Sequence, residues 1–185
     1  VAENPSETLR KVSEIYDRIA FAGGGRYNEF DQLRVAGIRA ADLKGYQYSR
    51  DDVDARSLAN QYAQILGNIF THEMKPMEVE ILVAEVGQEP AVDQMFHIVY
   101  DGTVVDQRNT AVLGGDAEHI GERLRGGYED GLDLAGAVKL GVASLAGPDR
   151  EIPVTELEVA ALVRGNGRRC FQRLDDAAVT ALLAS

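Results

Sequence analysis

The sequence predicts an α+β fold in which antiparallel sheets are stacked between layers of helices. Three observations carry that expectation. Segments of helical and strand periodicity come in blocks (a helix pair, strands, a second helix pair, a hairpin and a terminal helix), so the βαβ alternation of a parallel sheet is absent. Asp101-Gly102, a pair that tolerates positive φ, sits between two strand-like stretches and marks a hairpin. The 185 residues are 45% hydrophobic and contain no internal repeat, low-complexity tract or linker, which fits a single domain over 1–185 with one substantial core.

Ile15 to Ala22 alternates well enough to be a strand running into Gly23-Gly24-Gly25. A helix follows from Tyr27 to about Leu43, with Phe30, Leu33, Gly37 or Ile38 and Ala41 at the helical period and Asn28, Glu29 and Asp31 at the dipole's positive end. Gly45 is its expected stop. A second helix covers about Asp52 to Phe70 on the stripe Leu58, Tyr62, Ile65, Leu66 and Ile69. Beyond Lys75-Pro76, the β-branched run Val79 to Val86 reads as a buried strand. Met95 to Tyr100 and Thr103 to Asp106 form the hairpin, and Thr110 to Leu113 reads as a further strand ending at Gly114-Gly115. Helices are expected over Ala117 to Tyr128 and Leu132 to Leu145, and 148–153 is an exposed loop. Glu156 to Val163 and Arg169 to Leu174 are strands around Gly165-Asn166-Gly167, and Asp175 or Asp176 caps a last helix through Leu183.

Composition narrows the chemistry. A net charge of -11 with no local Lys/Arg cluster repels phosphate backbones, which argues against nucleic acid as a partner. No run of about 18 apolar residues exists to cross a membrane, and the start Val1-Ala2-Glu3-Asn4-Pro5 lacks the charged and apolar regions of a signal peptide, so a cytoplasmic chain is expected. Cys170 is the one cysteine and fits a small buried position in a strand. His72, His97 and His119 have no metal-ligand spacing, so neither a metal nor a cofactor is expected. His97, alternating with Phe96 and Ile98, reads as a surface or satisfied sheet histidine. The carboxylates cluster at helix starts and on exposed faces, and none is assigned to acid-base work.

Gly23-Gly24-Gly25-Arg26-Tyr27 stands out, between a strand and a helix with Lys11 one element upstream. It is neither a Walker loop nor Gly-x-Gly-x-x-Gly, which argues against a nucleotide. Two readings stand. The glycines permit close packing of helix on sheet, or they let backbone N–H groups face an anion such as a carboxylate.

The run from Lys11 to Asp31, KVSEIYDRIAFAGGGRYNEFD, resembles proteasome alpha subunits of the bacterial, actinobacterial-type branch. Gly45-Tyr46-Gln47-Tyr48, Ala59-Asn60-Gln61-Tyr62-Ala63-Gln64, Ile69-Phe70-Thr71, Lys75-Pro76-Met77-Glu78-Val79-Glu80 and Tyr100-Asp101-Gly102-Thr103 share the likeness, which extends over essentially the whole chain. The resemblance implies a four-layer αββα sandwich of the N-terminal-nucleophile hydrolase type and a subunit of an outer heptameric ring of alpha subunits. Such a ring gates entry of protein substrates to inner beta subunits, which carry the proteolysis. It also implies that the family's N-terminal gate segment, first helix and most of its first two strands would precede Val1, and that an acidic tail would follow Ser185. In that family the C-terminal carboxylate of a regulatory ATPase enters a pocket between neighbouring alpha subunits. Lys11 matches its lysine and Gly25 and Arg26 match its lining turn, a resemblance that favours the carboxylate reading of the glycines. The alternative is a catalytically active, beta-type threonine hydrolase of the same fold. It fits less well: beta subunits open with a threonine nucleophile where this chain has Val1, Asp116 follows Gly114-Gly115 where a serine turn is expected, and the loop at Pro148 lacks the beta pattern.

Overall fold

The computed structural model describes residues 1–6 and 8–185. Its elements are β1 Ala2–Glu3, β2 Val12–Tyr16, β3 Ile19–Gly25, α1 Tyr27–Gln47, α2 Ala55–His72, β4 Val79–Glu85, β5 Gln94–Ile98, β6 Val104–Gln107, α3 Ala117–Gly127, α4 Leu134–Ala146, β7 Leu157–Leu162, β8 Phe171–Leu174 and α5 Asp176–Ala184. β2 to β6 form a five-stranded antiparallel meander in chain order, and β1-β7-β8 form a three-stranded antiparallel sheet.

Strand alternation sorts the five-stranded sheet into two faces. Ile15, Ile19, Phe21, Val79, Ile81, Val83, Phe96 and Ile98 are buried with Phe30, Leu33 and Ala41 of α1 and Ala55, Leu58, Ala59, Tyr62 and Leu66 of α2 in one apolar core. On the three-stranded sheet, Leu157 and Val159 of β7 join Ile152, Val138 of α4 and Val179 of α5 in a second core. Between these cores the sheets meet along a polar seam. Arg169 Nε lies 2.8 Å from Glu14 Oε2, Arg173 donates to the Val12 carbonyl, and Cys170 N–H donates to the Asp17 carbonyl at 2.9 Å. The layers therefore run helices, sheet, sheet, helices, which is the expected α+β sandwich.

Local chemistry revised several elements. Ile15 to Ala22 is a hairpin, not one strand: β2 and β3 turn at Asp17-Arg18, Tyr16 pairs with Ile19, and Asp17 takes φ 23°. Asp tolerates such a φ better than most residues, and Arg50 closes the turn by pairing with the Asp17 carboxylate and lying 4.8 Å over the Tyr16 ring. Gly45 does not end α1, which continues to Gln47. The glycine serves packing instead, since a Cβ there would lie 2.1 Å from the Tyr16 hydroxyl. Thr110 to Leu113 joins no sheet: Asn109 at φ 64° and a Thr110 N–H to Arg108 carbonyl bond of 2.6 Å turn the chain away.

The β5–β6 connection has a longer turn than the tight two-residue one expected. Val99 N–H bonds the Thr103 carbonyl, and only Gly102, φ 88°, takes the positive angle. α2 starts at Ala55 rather than at about Asp52, and Asp54 caps it by accepting from Ser57 N–H at 3.1 Å. Asp133 and Asp175 cap α4 and α5 in the same way, at 2.7 and 2.8 Å. β1 had no sequence signal, being two residues paired with Leu157 and Glu158.

Candidate functional site

The glycine turn is built by β3 running past the end of β2. Val12 pairs with Ala22, and Gly23 N–H donates to the Lys11 carbonyl at 2.9 Å. The next residues of β3 bond β4 alone, through Gly24 opposite Glu80 and Gly25 opposite Val79. Arg26 then turns into α1 with extended φ and ψ and no side-chain cap.

The glycines of this run do different things. A Cβ at Gly23 would lie 2.5 Å from Cδ2 of Phe30, so this position lets the first turn of α1 sit on the sheet, the packing role. Gly25 has φ +96°, in the region that disfavours side chains, and a Cβ there would lie 2.1 Å from the Glu78 carbonyl oxygen. It is needed for the turn itself. Two carboxylates brace the turn: Glu78 Oε2 accepts from Arg26 Nε at 2.8 Å, and Glu29 Oε2 accepts from Glu78 N–H at 2.7 Å. Arg26 N–H also reaches the Glu78 carbonyl at 3.1 Å. The sequence placed Glu29 at the start of a helix and Glu78 in a block that carries the resemblance, but gave neither a part in the turn.

Lys11 lies just before β2, the neighbour of β3, at the same end of the five-stranded sheet as Gly25 and Arg26. The side chains themselves face different partners. Lys11 Nζ donates to the Glu3 carbonyl at 2.8 Å, a neutral acceptor, whereas the Arg26 guanidinium is paired with Glu78. The Lys11 charge is therefore not matched by that bond, while that of Arg26 is.

Beneath Lys11 lies a residue that sequence reasoning left unassigned. Glu158 on β7 is 3% exposed and points away from the second core, toward the seam. Its Oε2 accepts from Lys11 N–H at 2.9 Å and Asn4 Nδ2 at 2.8 Å; its Oε1 accepts from Val12 N–H at 3.0 Å and Arg173 Nη1 at 2.7 Å. Burial pushes this carboxyl up, but the hydrogen bonds from Lys11, Asn4, Val12 and Arg173 together outweigh it and hold it below the ordinary carboxylate range. An open cavity of about 490 Å³ lies alongside, lined by Arg10, Glu158, Arg173 and the first turn of α5.

Elsewhere the chemistry is sparse. His97 is neither on the surface nor satisfied: its side chain is 17% exposed, and the buried Nε2 lies 3.5 Å from Glu80 Oε2, too far for a good hydrogen bond. The imidazole beside it and the Gly114 N–H, against the effect of burial, still draw the Glu80 carboxyl below its usual range. Cys170 is buried at 2% exposure. Among the described residues, no group of three His, Cys, Asp or Glu side chains could hold a metal ion, and no helix is long and apolar enough to cross a membrane.

Two antiparallel sheets between helical layers form a four-layer α+β sandwich, and its family match gives it the N-terminal-nucleophile hydrolase type. The family model described as "Proteasome subunit" matches residues 4–153. A proteasome subunit alpha of Acidimicrobium ferrooxidans is 60% identical over 175 residues, covering 95% of this chain and 75% of the relative. Those of Xylanimonas cellulosilytica and Saccharopolyspora erythraea are 52% and 54% identical over 189 and 188 residues, covering 96% and 100% of this chain and 78% and 73% of theirs. The chain belongs to the proteasome subunit family, on its alpha and not its beta side.

Proposed function

We propose that this chain is a non-catalytic ring subunit of a cytoplasmic proteasome core particle. Like copies form an outer heptameric ring that gates entry of protein substrates, beta subunits beneath it carry out the cleavage, and a regulatory ATPase ring docks on top by its C-terminal residues. Neither nucleic acid, a membrane nor a cofactor takes part. The relatives named above support the ring role through their alpha designation.

The observation that carries the docking reading is the juxtaposition of Lys11 with Gly25 and Arg26 at one end of the five-stranded sheet. A terminal carboxylate has two oxygens and takes charge-assisted hydrogen bonds from ammonium, guanidinium and backbone N–H donors. Lys11 offers a charge now spent on a neutral carbonyl, so exchanging Glu3 for a carboxylate gains Coulomb energy. Arg26 would have to leave Glu78, so its net contribution is smaller. Gly25 holds the turn open at an angle that an alanine would strain.

Lys11→Ala in assembled particles should abolish stimulation of peptide hydrolysis by the docking ATPase while ring assembly, read by native mass spectrometry, is unchanged. Retained stimulation would remove Lys11 from the pocket.

A further inference from the structure

We propose that Glu158 is the positioning residue of the docking site, presenting Lys11 to the incoming carboxylate from the opposite sheet. This rests on the docking reading of Lys11. Lys11 is in no regular element: β2 begins one residue later, and only its carbonyl is tied to the five-stranded sheet, through Gly23 N–H. What holds its amide is Glu158 Oε2 at 2.9 Å. The other oxygen takes the next amide, Val12 N–H, at 3.0 Å, so one carboxylate grips two successive backbone donors. Such a grip sets both the place and the direction of the chain between them.

The remaining bonds extend the grip along the segment that carries the site. Asn4 Nδ2 bonds Glu158 and also the Leu9 carbonyl, at 2.8 and 2.7 Å, closing the loop between β1 and β2. Arg173 bonds Glu158 through one nitrogen and the Val12 carbonyl through another. The ammonium of Lys11 then reaches the carbonyl of Glu3, the neighbour of the β1 residue that pairs with Glu158. The site's cation is thus fixed by β1 and β7, although Gly25 and Arg26 belong to the other sheet.

Four donors converge on two oxygens, which only a carboxylate can accept in full. A carboxamide would present an NH2 group to two of them. Glu158→Gln therefore keeps size and shape but releases part of the Lys11–Val12 backbone. A residue that mattered only for folding would change all binding alike, whereas one acting through Lys11 changes recognition of the carboxylate alone.

The test compares the C-terminal peptide of the docking ATPase bearing a free carboxylate with the same peptide amidated, both titrated onto assembled particles. Wild-type particles should prefer the free acid. Glu158→Gln should reduce that preference about tenfold, the size expected for losing one well-placed charge-assisted hydrogen bond, and leave affinity for the amide unchanged. Equal weakening of both peptides, or no change, overturns the positioning role while the docking reading stands. If wild-type particles do not distinguish the peptides, the docking reading itself falls and takes this inference with it. Should Glu158→Gln particles fail to assemble, Asn4→Ala, which removes one of the four donors, should show a smaller loss of preference in the same direction, and an unchanged preference there overturns the role.

Discussion

The two halves of the sandwich are held together by different physics. Among the described residues, the half built on β2 to β6, α1 and α2 has 18 buried in a continuous apolar core, with the Phe21 and Tyr62 rings 5.8 Å apart. The half built on β1, β7, β8, α4 and α5 has five such residues among those described. What the smaller half lacks in apolar burial it makes up at the seam, where Arg169 reaches Glu14 and where Glu158 and Arg173 reach the backbone of Lys11 and Val12. The larger half should therefore be tolerant of changes in charge and sensitive to changes in volume. The smaller half should show the reverse, and the proposed docking lysine sits where the two regimes meet.

The largest expected effect tests the volume side. Phe21 is 1% exposed in the larger core, and Phe21→Ala should cost about 3–5 kcal/mol, enough to threaten folding. Val159, 2% exposed in the smaller core, loses less on truncation to Ala, about 1–3 kcal/mol, because fewer atoms leave and the thin core can relax around them. Urea midpoints of the two variants measure the difference. A Val159→Ala loss equal to that of Phe21→Ala would mean that the smaller half is held by packing after all.

Acid should then act first on the seam. The folded-state pKa of Glu158 lies below its unfolded value, so the unfolded chain takes up the proton first as pH falls. Its stabilisation is full above the ordinary carboxylate value of 4.5 and is lost as pH drops through the depressed folded value. Glu85, at the end of β4 in the larger half, runs the other way. Burial raises its pKa, only partly offset by Arg18, so its contribution is present at low pH and is lost as pH rises through the folded value. Thermal midpoints across pH 3 to 7 should fall toward acid in wild type. Glu158→Gln should be less stable at neutral pH and show a flatter profile, and a slope unchanged by that substitution would place the acid sensitivity elsewhere.

How much of this was legible in the sequence follows the same division. Helical stripes such as Leu58, Tyr62 and Leu66 and the run Val79 to Val83 located the larger half, because apolar periodicity is the record that a packed core leaves in a chain. The cap of α5, expected at Asp175 or Asp176 and found at Asp175, was legible for a similar local reason, whereas Asp133 fell inside the helix expected from Leu132. The Asp17-Arg18 turn was hidden because it uses no glycine or asparagine and is closed by Arg50 from beyond α1. Gly45 misled because a close approach by Tyr16 and a helix stop ask for the same residue. Lys11, Gly25 and Arg26 could be named from a resemblance, but Glu158 could not be singled out from the residues. It is one carboxylate among 30 acidic residues, and only the fold brings Asn4, Lys11 and Val12 to it.

The smallest effect separates folding from docking at the turn. Arg26 and Glu78 form an ion pair 2.8 Å long whose side chains are 52% and 58% exposed, so water and salt screen it. Arg26→Ala should change the urea midpoint by less than about 1 kcal/mol equivalent, far below the effect of Phe21→Ala, because exposed pairs contribute little. The backbone of the turn is set independently of that side chain, by Gly25 and by the Arg26 N–H bond to the Glu78 carbonyl. Stability and docking should therefore come apart here, with stimulation by the ATPase reduced less than in Lys11→Ala, since a guanidinium already matched by Glu78 has less to gain from a new carboxylate. Stimulation lost as completely as in Lys11→Ala would mean that Arg26 gives up Glu78 on docking, and Glu78→Gln, by releasing the guanidinium beforehand, should then strengthen the binding.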